Sequence, residues 1–185
     1  VGVDIPPYRG YNPSINPQAS NIFSATAFRL GHTLLNSTIL RLDNDGNVIP
    51  QGHLTLKDGF FHPFVVYEAG IDPLFKGMAV QTQQEADAKV IGDVRNFLFG
   101  QPGSGGLDLA SININRGRER GLPSFNEVRE ALGLSPYADF MSLTQEANEA
   151  DALSEAYGGD ISLLDPWVGM LAEAHMPGAL FGETI

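Results

Sequence analysis

Arg29 and His32 lie three residues apart in a segment that is otherwise largely apolar. Polar side chains of this kind need partners when they are buried, so the pair indicates a site. Asn16 and Pro17 precede the segment as an N-cap and a first helical residue, which predicts a helix that runs through His32. Because residues three apart share one face of a helix, the guanidinium and the imidazole would point the same way and could meet one ligand.

The chemistry that suits this pair is a cofactor that carries a metal and an anion within one helical turn. Imidazole binds metals, and a buried guanidinium needs an anion. Haem offers both, because its iron lies at the centre of the ring and its propionates at one edge. Two simpler interpretations stay open. His32 can be a core histidine with satisfied hydrogen bonds, and Arg29 can form a salt bridge with an Asp or Glu.

A second concentration of polar residues, 113–120, places three of the eight arginines of the chain within five positions. Asn113 and Arg116 have the same spacing as the first pair, so an amide and a guanidinium could share a face. A metal-bound histidine needs an acceptor for its other ring nitrogen, and the Asn113 amide oxygen could supply it. Arg118 and Arg120 equally suit a simpler role, the compensation of charge at the C-terminus of a helix.

Composition narrows the class of protein. The net charge of the 185 residues is -11, which argues against nucleic acid or an anionic membrane as the main partner. Without cysteine, the chain has no disulfides, thiolate catalysis or Cys-ligated metal. No apolar run approaches the 18 or so residues that a membrane-spanning helix needs. The segment 130–185 has ten acidic residues and no Lys or Arg, which predicts a strongly acidic surface there.

Capping residues, prolines and glycines predict a mainly α-helical fold with at most a short hairpin. The hairpin would join 39–42 to 48–49 across the turn 43–46. Further helices are predicted over 55–69, kinked at Pro63 and ended by Gly70; 82–98, opened by a Thr82–Glu85 capping box and ended by Gly100; 107–120; 124–132; 142–157; and 165–175. The helix opened by Thr82 has the clearest pattern of these.

Six short motifs occur in a fixed order along nearly the whole chain. They are GYNP (10–13) with NP (16–17), AFRLGHTL (27–34), GIDPL (70–74), LDL (107–109), NINRGRERGLP (113–123), and DPWVG (165–169) with PG (177–178). This series resembles the animal-type haem peroxidases, a superfamily that also has bacterial members, and we expect a bacterial-type member. The resemblance implies that His32 is the proximal haem ligand, that Asn113 accepts its Nδ1 proton, and that Arg29 and Arg116 bind the propionates. His32 and Asn113 are the implied catalytic residues.

The resemblance also implies a haem-dependent peroxidase that oxidises a small reducing substrate with hydrogen peroxide. In the family, a distal histidine and arginine and a calcium loop precede the proximal half, and they have no counterpart after Val1. We therefore expect residues 1–185 to be the proximal-haem portion of a domain, truncated at both ends, whose partner is the remainder of that domain. Alone it would be weakly active or inactive. The family implies an extracellular location, and the alternative function is a non-catalytic haem-binding or adhesion module.

Overall fold

The computed structural model describes residues 6–97 and 106–185 and is mainly α-helical, as the sequence predicts. The α-helices are α1 (Asn21–Ala25), α2 (Leu56–Gly59), α3 (Phe64–Ala69), α4 (Asp72–Val80), α5 (Gly92–Arg95), α6 (Leu109–Glu119), α7 (Phe125–Ala131), α8 (Phe140–Leu143), α9 (Ala147–Ala156) and α10 (Pro166–Ala172). Short 3₁₀ segments occupy Ala27–His32 and Ile161–Leu163. Strands β1 (Thr38–Ile39) and β2 (Leu54–Thr55) pair antiparallel. None of the described helices has both the length and the apolar character needed to cross a membrane.

The main hydrophobic core lies where α7, α8, α9 and α10 meet. Its buried members include Phe125, Leu143 and Leu164, each with no exposed surface. Helix α10 approaches α7 so closely that a Cβ atom on Gly169 would lie 2.2 Å from the Phe125 ring. Helix α10 also packs against α6 and against the first 3₁₀ segment, while α1 packs against α6. The core therefore fixes the elements that carry the two polar concentrations of the sequence.

A buried ionic network joins α7 to the chain that follows α10. The Arg129 guanidinium pairs with Glu173 and donates to Thr184 Oγ1 at 2.7 Å and to Glu183 at 2.9 Å. Glu173 also accepts from the Tyr137 hydroxyl at 3.0 Å. The side chains of Arg129 and Glu173 are 4% and 0% exposed. This arrangement replaces the water that both charges lose on folding.

Several predicted helix boundaries are confirmed by the capping groups. Thr55 accepts the backbone N–H of Asp58 at the start of α2, and Gly70, with φ 77°, ends α3. The predicted capping box of Ser124 opens α7. Helix α6 corresponds to the prediction over 107–120 and begins at an Asp108 cap. These capping hydrogen bonds join residues close in sequence, so they can be predicted without knowledge of the tertiary fold.

The helix predicted from Pro17 through His32 is wrong in its start and its type. Asn16 instead accepts the N–H of Gln18 in a turn, and Ser20 caps α1. Thr26 adopts φ -126°, ψ -87°, which interrupts the helix before the 3₁₀ segment begins. A 3₁₀ helix has three residues per turn, so Arg29 and His32 lie on one face as predicted.

The helix predicted over 82–98 is also wrong, since α5 is the only helix in the described part of that range, 82–97; the predicted stop at Gly100 lies outside the described residues. Tertiary hydrogen bonds replace the helical ones in this segment. Gln84 N–H donates to the Leu34 carbonyl, and the Thr82 carbonyl accepts from the Asn36 amide. The Ala86 carbonyl lies 2.8 Å from His175 Nε2. The backbone groups that a helix would use are engaged elsewhere.

Two predicted helices and the predicted hairpin are less continuous in the structure than the sequence predicts. The predicted helix over 55–69 is interrupted between α2 and α3, and the one over 142–157 is divided into α8 and α9. The possible hairpin is reduced to a single Leu42–Val48 bridge. Its turn is held by Asp43, whose carboxylate accepts two backbone N–H groups. The strand pairing instead joins β1 to β2.

Candidate cofactor site

The two polar concentrations of the sequence meet where the first 3₁₀ segment faces α6. His32 is half-buried at the end of the 3₁₀ segment, and Asn113 is fully buried in the middle of α6. The Asn113 Nδ2 atom lies 2.8 Å from His32 Nδ1, and Arg29 Nη1 lies 2.9 Å from Asn113 Oδ1. The structure thus brings together three of the four residues that the sequence selects.

The directions of these hydrogen bonds follow from the donors that each group offers. A guanidinium can only donate, so the amide atom that faces Arg29 must be the oxygen. The amide nitrogen of Asn113 therefore faces His32 Nδ1 and donates to it. This direction is the reverse of the one that the family resemblance implies. Within the described residues, His32 Nε2 has no hydrogen-bond partner.

Burial keeps the His32 imidazole neutral. Desolvation lowers the pKa of His32 below its usual value of 6.5, and the positive charge of Arg29 lowers it further. A neutral imidazole is the form that binds a metal. The 3₁₀ segment thus presents a neutral ring with one nitrogen held and the other without a protein partner.

Positive charge is concentrated beside this ring. Burial lowers the pKa of Arg29, and repulsion from Arg116 and Arg120 adds to that effect. Arg116 lies 3.6 Å from Glu119, and both side chains are exposed, so this pair is weak. No hydrogen bond joins Arg116 to Arg29, His32 or Asn113 in the described residues. The charges of Arg116 and Arg120 both act on Arg29, and such a concentration of guanidinium groups favours the binding of an anion.

Arg120 has a role that the simpler interpretation, compensation of charge at a helix end, does not include. It contributes to the repulsion on Arg29 and donates to Asn21 at 3.0 Å. Its spacing of four residues from Arg116 was the available signal, since such residues share a helix face.

Arg118 anchors α6 to the start of α10. Two of its nitrogens donate to the Asp165 carboxylate at 3.0 and 2.6 Å, and this pairing raises the pKa of Arg118. The Tyr157 hydroxyl donates to the same carboxylate at 2.8 Å. Burial and the Asp165 hydrogen bond raise the pKa of Tyr157, so its hydroxyl keeps its proton. Arg118 therefore forms a tertiary ion pair, which the simpler role of charge compensation does not include.

The residues present fit haem on the chemistry of their donors. His32 offers one unpartnered nitrogen to an iron, and the three guanidinium groups suit carboxylates at the edge of a ring. Two neighbours of His32 in the chain leave room for a ligand and offer apolar surface, since a Cβ on Gly31 would have nothing within 4 Å and Phe28 is 73% exposed. A flat apolar cofactor with one anionic edge matches this combination.

Comparisons with known proteins agree with this chemistry. Residues 1–185 match the family model described as animal haem peroxidase. Peroxinectin A of Dictyostelium discoideum is 38% identical over 179 residues, which are 97% of this chain and 33% of that protein. Thyroid peroxidase of Sus scrofa is 39% identical over an alignment of 187 positions that covers 98% of this chain and 20% of that protein. The solved structure of peroxidase A from Dictyostelium discoideum superposes with a TM-score of 0.89 at 38% identity, over 97% of this chain and 34% of that one. The chain thus spans about a third or less of these relatives.

Proposed function

The chain belongs to the animal haem peroxidase family, and we propose that it supplies the proximal haem site of a hydrogen peroxide-dependent peroxidase. His32 is the iron ligand, and Asn113 orients it. Arg29 and Arg116 bind the haem carboxylates, with Arg120 adding to the positive charge. Residues 1–185 are accordingly the proximal-haem portion of a peroxidase domain.

The observation that carries the proposal is the contact of 2.8 Å between His32 Nδ1 and Asn113. The two residues are 81 positions apart in the sequence, and the Asn113 amide is fully buried. The contact therefore holds the His32 ring at Nδ1 and leaves Nε2 unheld. A ligating histidine needs a polar partner at its second nitrogen, and Asn113 is the side chain within reach of it. The satisfied core histidine that the sequence left open is a poorer interpretation, because Nε2 has no partner in the described residues.

Each residue of this site has a defined task. Haem, when bound, supplies the redox chemistry that couples peroxide reduction to oxidation of a donor. His32 binds the iron through Nε2, and its neutral form is maintained by burial. Arg29, Arg116 and Arg120 orient the carboxylate edge. Cleavage of the peroxide O–O bond needs an acid–base group on the opposite face, so we expect this chain alone to be weakly active or inactive.

The remainder of a peroxidase domain is the proposed macromolecular partner. Large apolar side chains are exposed along α3 and α4: Phe64, Tyr67, Phe75, Met78 and Val80. Large apolar side chains exposed in this number favour contact with further polypeptide. Relatives about three times as long as the chain offer further polypeptide to cover them. Hydrogen peroxide, a small reducing substrate and an extracellular location are proposed from family membership, and calcium only for a complete domain.

Haem titration of wild type and His32→Ala tests the proposal. We expect wild type to give a Soret band that His32→Ala abolishes. His62→Ala is the matched control, because His62 is exposed and its ring contacts the local Asp58 carbonyl and the Phe64 ring within the part of the chain that the structure describes. Absence of a Soret band in wild type under all loading conditions contradicts the proposal. Peroxide-dependent dye oxidation by the protein joined to the remainder of its domain separates an enzyme from a haem-binding or adhesion module that turns over no substrate.

A further inference from the structure

Trp167 is the only tryptophan of the chain, and it is buried in the core between α1, α6 and α10. The residue is 5% exposed, and its Nε1 atom is buried without a hydrogen-bond partner in the described residues. The narrow void that Trp167 lines has no room for a water molecule. A buried indole N–H usually has an acceptor. This indole can lose an electron, but it has no group beside it to take its proton.

Trp167 lies between the candidate ligand and a hydrogen-bonded phenol. Asn113, which contacts His32 Nδ1 at 2.8 Å, lines the same void as Trp167. Asp165 also lines that void, and it precedes Trp167 by two residues. The Asp165 carboxylate accepts the Tyr157 hydroxyl at 2.8 Å. Asn113 therefore connects the indole to His32, and Asp165 connects it to Tyr157.

Tyr157 has the proton acceptor that Trp167 lacks. Burial and the Asp165 hydrogen bond raise the pKa of Tyr157, so the phenol keeps its proton as long as it keeps its electrons. When one electron leaves, a phenol becomes a strong acid, and the carboxylate at 2.8 Å can take the proton. Tyr157 can thus give up an electron and a proton together, to two different acceptors.

We propose that Tyr157 and Trp167 form an electron relay through which a reducing substrate is oxidised without touching the cofactor. The inference rests on the proposed function, which supplies hydrogen peroxide as the oxidant. Trp167 gives one electron to the peroxide-oxidised site at His32 and keeps its proton. Tyr157 then gives one electron to Trp167 and its proton to Asp165. The substrate returns one electron to Tyr157, and Asp165 returns the proton, so both residues end as they began.

A cavity of about 510 Å³ gives a substrate access to Tyr157, which lines it. This volume is within the range of small-molecule sites, roughly 300–1,000 Å³. Leu122 and Pro123 supply apolar walls. Arg118 and Asp165 also line the cavity, and their ion pair cancels the charge of each. The cavity therefore suits an uncharged organic reductant with an apolar body.

Photoionisation of the haem-free chain tests the relay without a cofactor. Trp167 can be excited selectively, because the chain has no other tryptophan. Its radical should keep the indole proton and should decay at the rate at which a phenoxyl radical appears. Tyr157→Phe should abolish the phenoxyl signal and prolong the life of the indole radical. Tyr67→Phe is the control and should change neither, because Tyr67 is an 83% exposed phenol on α3.

Tyr137 is the rival electron donor, because its hydroxyl also donates to a buried carboxylate, that of Glu173, at 3.0 Å. A phenoxyl signal that is lost in Tyr137→Phe and kept in Tyr157→Phe overturns the proposal. An indole radical that loses its proton before the phenoxyl radical forms overturns it as well.

Electron paramagnetic resonance is the second test, on haem-loaded protein joined to the remainder of its domain and frozen after hydrogen peroxide is added. Wild type should show a phenoxyl radical that is lost in Tyr157→Phe and in Trp167→Phe. A Trp167→Phe variant that binds haem and keeps the phenoxyl signal overturns the relay. Failure of the proposed function is distinguishable, because it appears as no Soret band in wild type, whereas the photoionisation needs no haem.

The cavity is tested in the same joined protein with hydroquinone as the reductant. Ala156 lines the cavity at the end of α9, so Ala156→Phe should narrow it and raise the KM for hydroquinone. Ala152→Phe is the matched control, an exposed alanine of the same helix that does not line the cavity. The same KM in both variants overturns the cavity as the place where the substrate delivers its electron.

Discussion

Replacement of Arg129 by Met should destabilise the chain far more than loss of an exposed cation. The Arg129 side chain is 4% exposed and supplies hydrogen bonds to Ser135, Glu183 and Thr184 as well as the pair with Glu173. Its guanidinium also lies 4.4 Å from the centre of the Tyr137 ring. Without it, Glu173 is left as a buried carboxylate with 0% exposure and no cation.

The expected cost is about 3–5 kcal/mol, the range measured when one partner of a buried pair is removed. This is a large part of the roughly 5–15 kcal/mol that stabilises a typical domain. Urea unfolding measures it, and with a slope of about 2–3 kcal/mol per M the midpoint should fall by more than about 1 M. Lys89→Met is the matched control. Lys89 is 75% exposed beside Asp87, so its loss should cost about 0–1 kcal/mol.

A second substitution identifies the unpaired charge as the cause. Glu173→Gln should destabilise wild type, because it removes the partner of Arg129. In the Arg129→Met background the same change should restore stability, because it removes a buried charge. The reasoning is refuted if Arg129→Met costs no more than Lys89→Met, or if the two substitutions simply add.

Three further outcomes follow from the structure. Gly169→Ala should lower the thermal unfolding midpoint by several degrees, since its Cβ would lie 2.2 Å from the buried Phe125 ring and such overpacking costs about 1–3 kcal/mol. Gly92→Ala is the control and should leave the midpoint nearly unchanged, because the nearest atom to its Cβ would lie at 3.7 Å. The His32 proton signal should titrate with a pKa below 6.5, and Arg29→Gln should raise that value without restoring it, because burial remains. Since the folded-state pKa of His32 is lowered, its contribution to stability is present above about pH 6.5 and is lost as the pH falls through the folded-state value. His32→Gln should remove this pH dependence of the free energy of unfolding. The same loss of stability at acidic pH in His32→Gln and wild type would contradict the prediction. Burial and Glu173 raise the pKa of Tyr137 to about 12, so alkaline absorbance titration should lose a late-ionising phenol in Tyr137→Phe, and loss of an early one would contradict the assignment.

The residues of the candidate site were predictable because their signals are local. Arg29 and His32 have a spacing that both an α-helix and a 3₁₀ helix place on one face, so the error in helix type did not matter. Asn113 lies on a helix that begins at an Asp108 cap and ends before Gly121, and both residues are of types that favour helix ends. The contact between them still had to be observed, since spacing alone does not determine which faces meet.

The segment 82–91 shows where local signals fail. Its capping box and apolar spacing are those of a helix, but Gln84 and Thr82 hydrogen-bond to the chain at 34–36 instead. Those bonds join positions nearly fifty residues apart, and no local pattern encodes them. The roles of Arg118 and Arg120 were missed for the same reason. One contacts Asp165 and the other Asn21, and both partners are distant in sequence.

The direction of the hydrogen bond at His32 also required the structure. The sequence predicts an amide oxygen beside Nδ1, whereas the nearby guanidinium turns the oxygen toward Arg29. The sequence specifies which donors and acceptors are present, but the tertiary fold determines which of them form hydrogen bonds with each other.

Resonance Raman spectroscopy of the haem-loaded, reduced chain tests the central claim most directly. We predict an iron–histidine stretching band in wild type that disappears in His32→Ala and persists in the His62→Ala control. In Asn113→Leu the band should move to lower frequency, because an iron-bound His32 carries its proton on Nδ1 and would have no amide oxygen to accept it, which makes the imidazole a weaker ligand. An iron–histidine band that survives in His32→Ala would contradict the assignment of His32 as the haem ligand.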